Sequence, residues 1–264
     1  MPHASHGGVR LNYVQAGAGD PPLVFIHGWC CDLSFFEPQL RHFASSHSVT
    51  ALDLRGCGES DRPPGGYDIP TFADDVAFLC GKLGITNPVV VGHSLGGSIA
   101  VELSGRYPYL PAAVVALDPG PLHPTPEATA VYAGFAAQMT GPDGEAVRRA
   151  WVSRGQADDQ LGRKVVDTMC SVPLDIAAAT MRGTTLWNSV AALLTCRAPL
   201  LVVRAQPGGS NDPMRLRALK PDIHIGITVG AGHFHQLEVP DQINAMIERF
   251  LQVALTDGQN RSAA

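Results

Sequence analysis

No apolar run in this chain approaches the roughly 20 residues that a membrane-spanning helix needs, so an integral membrane protein is not expected. Clusters of Lys and Arg are missing as well. With 19 basic against 24 acidic residues the net charge is -5, which argues against nucleic acid or an anionic membrane surface as the main partner, since basic clusters do most of that binding. The six cysteines, Cys30, Cys31, Cys57, Cys80, Cys170 and Cys196, include no C-x-x-C pair and no histidine at zinc-finger spacing. No metal is therefore expected, and the thiols are read as reduced. Met1–His6 holds neither a basic region nor an apolar run, so no signal peptide is expected and a cytoplasmic location is the default. Internal repeats and low-complexity segments are also lacking. What remains is an ordinary globular composition, 45% hydrophobic and 16% charged over 264 residues, enough for one large α/β domain with an insertion or for two small domains.

The most informative stretch runs from Val89 to Gly97. Its β-branched residues end in Gly92-His93-Ser94-Leu95-Gly96, a G-x-S-x-G pattern, and helical spacing through Ile99 and Leu103 follows. A strand, a tight turn and a helix are expected there. Glycine is needed at 92 and 96 because backbone segments meet where a Cβ would collide, and Ser94 would hold a strained conformation. Such a turn lifts the Ser94 hydroxyl clear of the sheet edge and places it at a helix N-terminus, where N–H groups can meet a developing negative charge. A glycine-rich turn of some other α/β protein is the alternative, and the rest of the chain must decide.

Along the chain, Val9–Gly17, Pro22–Ile26, Ser48–Leu54, the segment from Pro88, Ala112–Asp118, Pro199–Val203 and Ile223–Val229 read as strands. Helical patterns fall at 33–43, through Phe72, Val76, Leu79 and Leu83, and through Ile243, Ile247 and Phe250. Strands alternating with helices imply a mostly parallel sheet covered on both faces. The alternation breaks between Pro119 and Arg197, where only helical patches occur, at 127–139, 145–153, 160–170 and 175–194. The expected organisation is a core of residues 1–118 and 197–264, with a helical cap of 119–196 inserted after the sixth strand.

His27-Gly28-Trp29, Arg55-Gly56-Cys57-Gly58-Glu59-Ser60, the Ser94 turn and Gly230-Ala231-Gly232-His233 each follow a strand, in that order. Together they resemble the α/β-hydrolase superfamily, from about Val9 to Leu251, and specifically its serine esterase-like branch with a helical cap. The resemblance implies an α/β-hydrolase fold with Ser94 as nucleophile, His233 as its base, and an oxyanion hole made by the backbone N–H groups of Trp29 and Leu95. The chemistry has its own logic: a serine hydroxyl is a poor nucleophile until an imidazole takes its proton during attack.

The third member of such a triad is less plain. In most relatives the acid lies a few residues beyond the strand that here is Leu200–Arg204, yet Ala205–Ser210 contains no carboxylate. Asp212 is nearest, but Asp212-Pro213 before a helical stretch is also the pattern of an N-cap with proline at the first helical position. Asp118 closes the preceding core strand, where some α/β hydrolases carry their acid, and is favoured, although an Asp-Pro-Gly turn alone could account for it. His235 is a decoy, His93 is expected to pack beneath the turn, and His27 to order its own loop. Asp53, Asp74, Asp75, Asp158 and Asp159 read as structural, and Glu238 as a cap of the last helix.

The expected activity is carboxylic ester hydrolysis on a small ester or lactone, with no cofactor implied. Ser at the turn argues against the carboxylate-nucleophile branches of the family. Carbon–carbon bond hydrolases and perhydrolases with the same triad, cofactor-free dioxygenases using a His and an Asp after the Asp118 strand, and non-catalytic ligand binders remain open. The expected partner is a small molecule, and the chain could act alone or as a homodimer. In the insertion, Leu122, Tyr132, Phe135, Met139, Trp151, Met169, Met181, Leu186 and Trp187 could line an apolar pocket or simply fill core. Arg148, Arg149 and Arg154 could meet a substrate carboxylate, with a solvated helix face as the simpler reading.

Overall fold

The computed structural model describes residues 2–205 and 211–261, with side chains to Leu255. Eight strands form one sheet in the order β1-β2-β4-β3-β5-β6-β7-β8. β1 (His3–His6) and β2 (Val9–Ala16) make the N-terminal hairpin, and β2 runs antiparallel to β4 (Val49–Leu52). From β4 onward β3 (Leu23–Ile26), β5 (Val89–His93), β6 (Ala113–Leu117), β7 (Leu200–Arg204) and β8 (His224–Ile227) are all parallel.

The central strands are buried along their whole length, which is why they read as continuous apolar runs rather than alternating ones. Leu23, Phe25, Val89, Val91 and Val115 point to one face, where α1 (Glu37–Phe43) and α11 (Pro240–Arg261) pack through Phe43, Ile243, Ile247 and Phe250. Val24, Ile26, Val90 and Val114 point to the other, covered by α2 (Ile69–Leu83) and α3 (Leu95–Arg106) through Phe72, Val76, Leu79, Ile99 and Leu103. The stretch 33–43 divides into a 3-10 turn at Leu33–Phe36, capped by Asp32, and α1.

Between β6 and β7 lie α4 (Pro126–Met139), α5 (Gly144–Val152), α6 (Gln160–Ser171), α7 (Leu174–Thr185) and α8 (Ser189–Thr195), with no strand among the described residues there. α4, α5, α6 and α7 pack on one another, whereas α8 packs on α3. The pattern read as one helix over 175–194 breaks at Trp187-Asn188, because Asn188 accepts the Ala191 N–H at 3.1 Å and starts α8. Asp159 likewise caps α6 through the Gly162 N–H at 2.8 Å. Arg148 lies neither on a solvated face nor in a ligand pocket. It is buried on α5 and donates to the carbonyls of Cys170 and Val172, supplying partners to the C-terminal end of α6. All six cysteines are free thiols. No described helix is long and apolar enough to cross a membrane.

The turn from β5 into α3 shows why two of its glycines are required. A Cβ on Gly92 would stand 2.0 Å from the Gly96 carbonyl oxygen, and a Cβ on Gly96 would stand 2.0 Å from that of Ile26. Backbone cannot give way as a flexible side chain would. Gly96→Ala is therefore expected to cost about 3 kcal/mol or more of folding stability, read as a fall in the urea midpoint or as insoluble protein.

Candidate active site

Three strand ends of the parallel sheet, those of β5, β6 and β8, each deliver one group. Ser94 follows β5 with φ 53° and ψ -114°, a strained geometry for a residue with a side chain. Its N–H is held by the Leu117 carbonyl at 2.8 Å, which ties the turn to the end of β6. Asp118 comes next on that strand, also at positive φ (40°), with its own N–H donated to Val203 at 2.7 Å. His233 arrives on the loop after β8.

His233 Nδ1 and Asp118 Oδ2 are 2.6 Å apart. The other carboxylate oxygen, Oδ1, accepts the Ala205 N–H at 3.3 Å. Burial pushes the Asp118 carboxyl up, but the His233 hydrogen bond, the charge that His233 can carry and the Ala205 N–H together outweigh it and hold the group below its usual range. Ser94, Asp118 and His233 all line one cavity of about 490 Å³, a size suited to a small molecule. No direct Ser94–His233 hydrogen bond is formed, and such bonds commonly tighten only when substrate is present. Trp29 lines the same cavity, and Leu95 is the first residue of α3. Neither of their N–H groups has an acceptor among the described residues.

Asp212 sits elsewhere in the network. Its carboxylate accepts the N–H groups of Met214 and Arg215 at 2.9 and 3.0 Å, capping α9 (Pro213–Leu219), and it is not among the cavity-lining residues. Of the segment read as carboxylate-free beyond β7, Ala205 is described and 206–210 lie outside the described residues. From the insertion, Tyr132, Trp151, Met169 and Met181 line the cavity. Leu122, Phe135 and Met139 are buried in core instead, Leu186 is exposed, and the Trp187 indole donates to Glu102 at 2.8 Å. A larger cavity, about 630 Å³ between the 62–68 loop and α7, contains neither a serine nor a histidine.

A second layer of residues fixes the loops. His27 Nδ1 donates to the Gly28 carbonyl at 2.8 Å while its Nε2 accepts the Leu54 N–H at 3.0 Å, which sets its tautomer and holds the Trp29 loop. Asp53 accepts from Leu33 N–H, Glu59 N–H and the Asn12 side-chain amide, and Arg55 forms a bidentate pair with buried Asp75 at 2.6 and 2.7 Å. These account for much of the Arg55–Ser60 motif as architecture. His93 is fully buried, and its Nε2 donates to the His233 carbonyl at 2.8 Å. Glu238 departs from its expected capping role. Its carboxylate accepts the N–H groups of Gly232 at 2.6 Å and Phe234 at 3.1 Å, bracketing His233, a contact that its place before Pro240 does not signal.

Buried His235 lies under this loop, its Nδ1 3.2 Å from Thr228 Oγ1. Burial, opposed by the Asp118 charge and aided by His233, lowers its pKa from 6.5 to about 4. A folded pKa below the unfolded one means that the unfolded chain takes up the proton first. The stability this neutral imidazole contributes is therefore complete above about pH 6.5 and lost as the pH falls towards 4. Urea unfolding at pH 7 and pH 5 is expected to show a loss of about 2 kcal/mol from this group, and the pH dependence should be correspondingly shallower in His235→Gln.

The chain belongs to the alpha/beta hydrolase family, whose sequence model matches residues 23–246. It is 30% identical over 260 residues to the 2-(acetamidomethylene)succinate hydrolase of Mesorhizobium japonicum, covering 93% of this chain and 92% of that protein. Among solved structures it superimposes on the enol-lactonase of Burkholderia xenovorans LB400 with a TM-score of 0.83 at 22% identity, over 95% of this chain and 100% of that one, a likeness of fold. A further match is Est816, described as an N-acyl homoserine lactone degrading enzyme, with a TM-score of 0.77 at 28% identity over 94% of this chain and 100% of that one.

Proposed function

We propose that this protein is a serine hydrolase that cleaves a small carboxylic ester or lactone through an acyl-enzyme on Ser94. The observation that carries this reading is the 2.6 Å contact between His233 Nδ1 and Asp118 in a cavity that also exposes Ser94 on a strained turn. With Nδ1–H donated to the carboxylate, Nε2 is left unprotonated and able to accept a proton. Ser94 Oγ attacks the carbonyl as His233 Nε2 removes its hydrogen, and the oxyanion is met by the N–H groups of Trp29 and Leu95. His233 then protonates the departing alkoxide, and the ester C–O bond breaks. Water, deprotonated by the same nitrogen, releases the acid and restores Ser94. From a lactone the product is one hydroxy acid.

Residues 119–196 act in this reading as a cap over a core of 1–118 and 197–264, with Tyr132, Trp151, Met169 and Met181 forming the substrate-facing wall. The match to Est816 supports the lactone side of the proposal, and the relative from M. japonicum is named for hydrolysis of a substituted succinate. The test is intact mass after exposure to a fluorophosphonate, followed by an ester and lactone panel. A single adduct, with turnover of at least one panel member, is expected. Without an adduct the acyl-enzyme reading falls, and oxygen consumption with heteroaromatic substrates becomes the next assay.

A further inference from the structure

Arg154 is the one Lys or Arg side chain among the described residues that line the cavity holding Ser94, Asp118 and His233. Its neighbours in the insertion are engaged otherwise. Arg148 is buried against carbonyls and Glu145, Arg149 lies 3.5 Å from Asp167, and Arg163 lies 2.8 Å from Asp158. Arg154 has no carboxylate partner among the described residues, although Asp118 in the same cavity is already engaged by His233.

Arg154 is exposed, and its guanidinium faces an aromatic ring. Its central carbon stands 5.5 Å from the centroid of the Trp151 ring, within cation–π range. Trp151 is stacked on Phe135 at 4.2 Å and 17°, and Phe135 meets Trp29 edge-on at 5.7 Å. The Trp29 indole is fixed in turn by a 3.0 Å hydrogen bond to the Ala177 carbonyl. A ladder of three rings thus connects Arg154 to the loop whose N–H is assigned to the oxyanion. A guanidinium lying on an aromatic face keeps its N–H edges free, and that planar fork matches a carboxylate. The same cavity is also lined by the apolar side chains of Val152, Met169, Met181 and Phe234.

We infer that Arg154 is the specificity residue for a substrate bearing a carboxylate, set apart from the scissile carbonyl by a short apolar segment. This rests on the ester or lactone reading of the same cavity. The contact forms outside the reacting atoms, so it selects the substrate and orients it rather than taking part in bond cleavage.

The test pairs the 4-nitrophenyl monoesters of adipic, pimelic and suberic acids with the 4-nitrophenyl esters of the corresponding monoamides, which keep the shape and lose the charge. Wild-type protein is expected to favour at least one acid over its amide in kcat/KM. Arg154→Gln should lower that acid-to-amide ratio by about 10- to 100-fold, and Arg154→Lys should restore part of it. A Gln variant that slows both esters alike and keeps the ratio, or a wild type that favours no acid over its amide, overturns the inference. Calorimetric titration of Ser94→Ala with adipate supplies an arm that needs no turnover. Binding that weakens at least tenfold in Ser94→Ala/Arg154→Gln supports the carboxylate site even if no ester is cleaved, an outcome that would remove the hydrolase reading alone. Adipate binding indifferent to Arg154 overturns the site.

Discussion

Ser94→Ala is expected to lower turnover of the best panel ester by about 10^4- to 10^6-fold and to abolish the fluorophosphonate adduct. The size follows from how the site divides its work. In the proposed mechanism, removing Oγ eliminates the covalent route, and what would remain is whatever the N–H groups of Trp29 and Leu95 and the cavity walls contribute to direct attack by water. Folding should be little changed. The Ser94 hydroxyl makes no hydrogen bond with the described residues, and the turn is held by backbone bonds from Ser94 N–H to Leu117 and from Gly97 N–H to Ser94. Circular dichroism and urea midpoints alongside the kinetics check this. A variant that folds, loses the adduct and keeps its turnover would mean that Ser94 is reactive but idle. The pair formed by His233 and Asp118 would then have to act without it, as the dioxygenase reading requires.

The parts of the fold legible in the sequence are those dictated by short-range physics. Strands buried on both faces are mostly apolar, so the runs at Pro22–Ile26 and Val89–Val91 announce themselves, and the G-x-S-x-G turn admits no Cβ at Gly92 or Gly96. The placement of Ser94 and His233 at one cavity is legible because each follows a strand in a glycine-marked loop. Arg148, Arg154 and Glu238 were not readable in this way. Arg148 and Arg154 sit six residues apart on and just beyond one short helix, and nothing local distinguishes them. Yet one is buried among the carbonyls that end α6, and the other lies across Trp151 at the cavity. Glu238 has a credible local use before Pro240. Its observed use, bracketing His233 through two N–H groups, depends on how the chain folds back between β8 and α11. Local pattern and tertiary demand compete at such positions, and here the tertiary contacts decide where the side chain goes.

Asp118 and Asp212 put that competition to an experiment. Asp118→Asn is expected to reduce kcat by about 10^4-fold. An asparagine in the same rotamer can donate its amide N–H to His233 Nδ1, which moves the imidazole proton to Nε2 and leaves no lone pair to accept the Ser94 hydrogen. It also removes the charge that stabilises the imidazolium formed during attack. Because His233 and the Ala205 N–H hold the Asp118 carboxyl below its usual range, the carboxylate stays ionised well into acid. Protonation of Asp118 should therefore not set the acid limb of the wild-type rate profile. Asp212→Asn is expected to leave turnover within about twofold, since asparagine caps a helix nearly as well as aspartate, and Asp212→Ala to lower the urea midpoint through loss of the cap. The reverse pattern, with Asp118→Asn close to wild type and Asp212→Asn inactive, would transfer the acid to Asp212. That would require its carboxylate to leave the N–H groups of Met214 and Arg215 and swing to the imidazole when substrate binds.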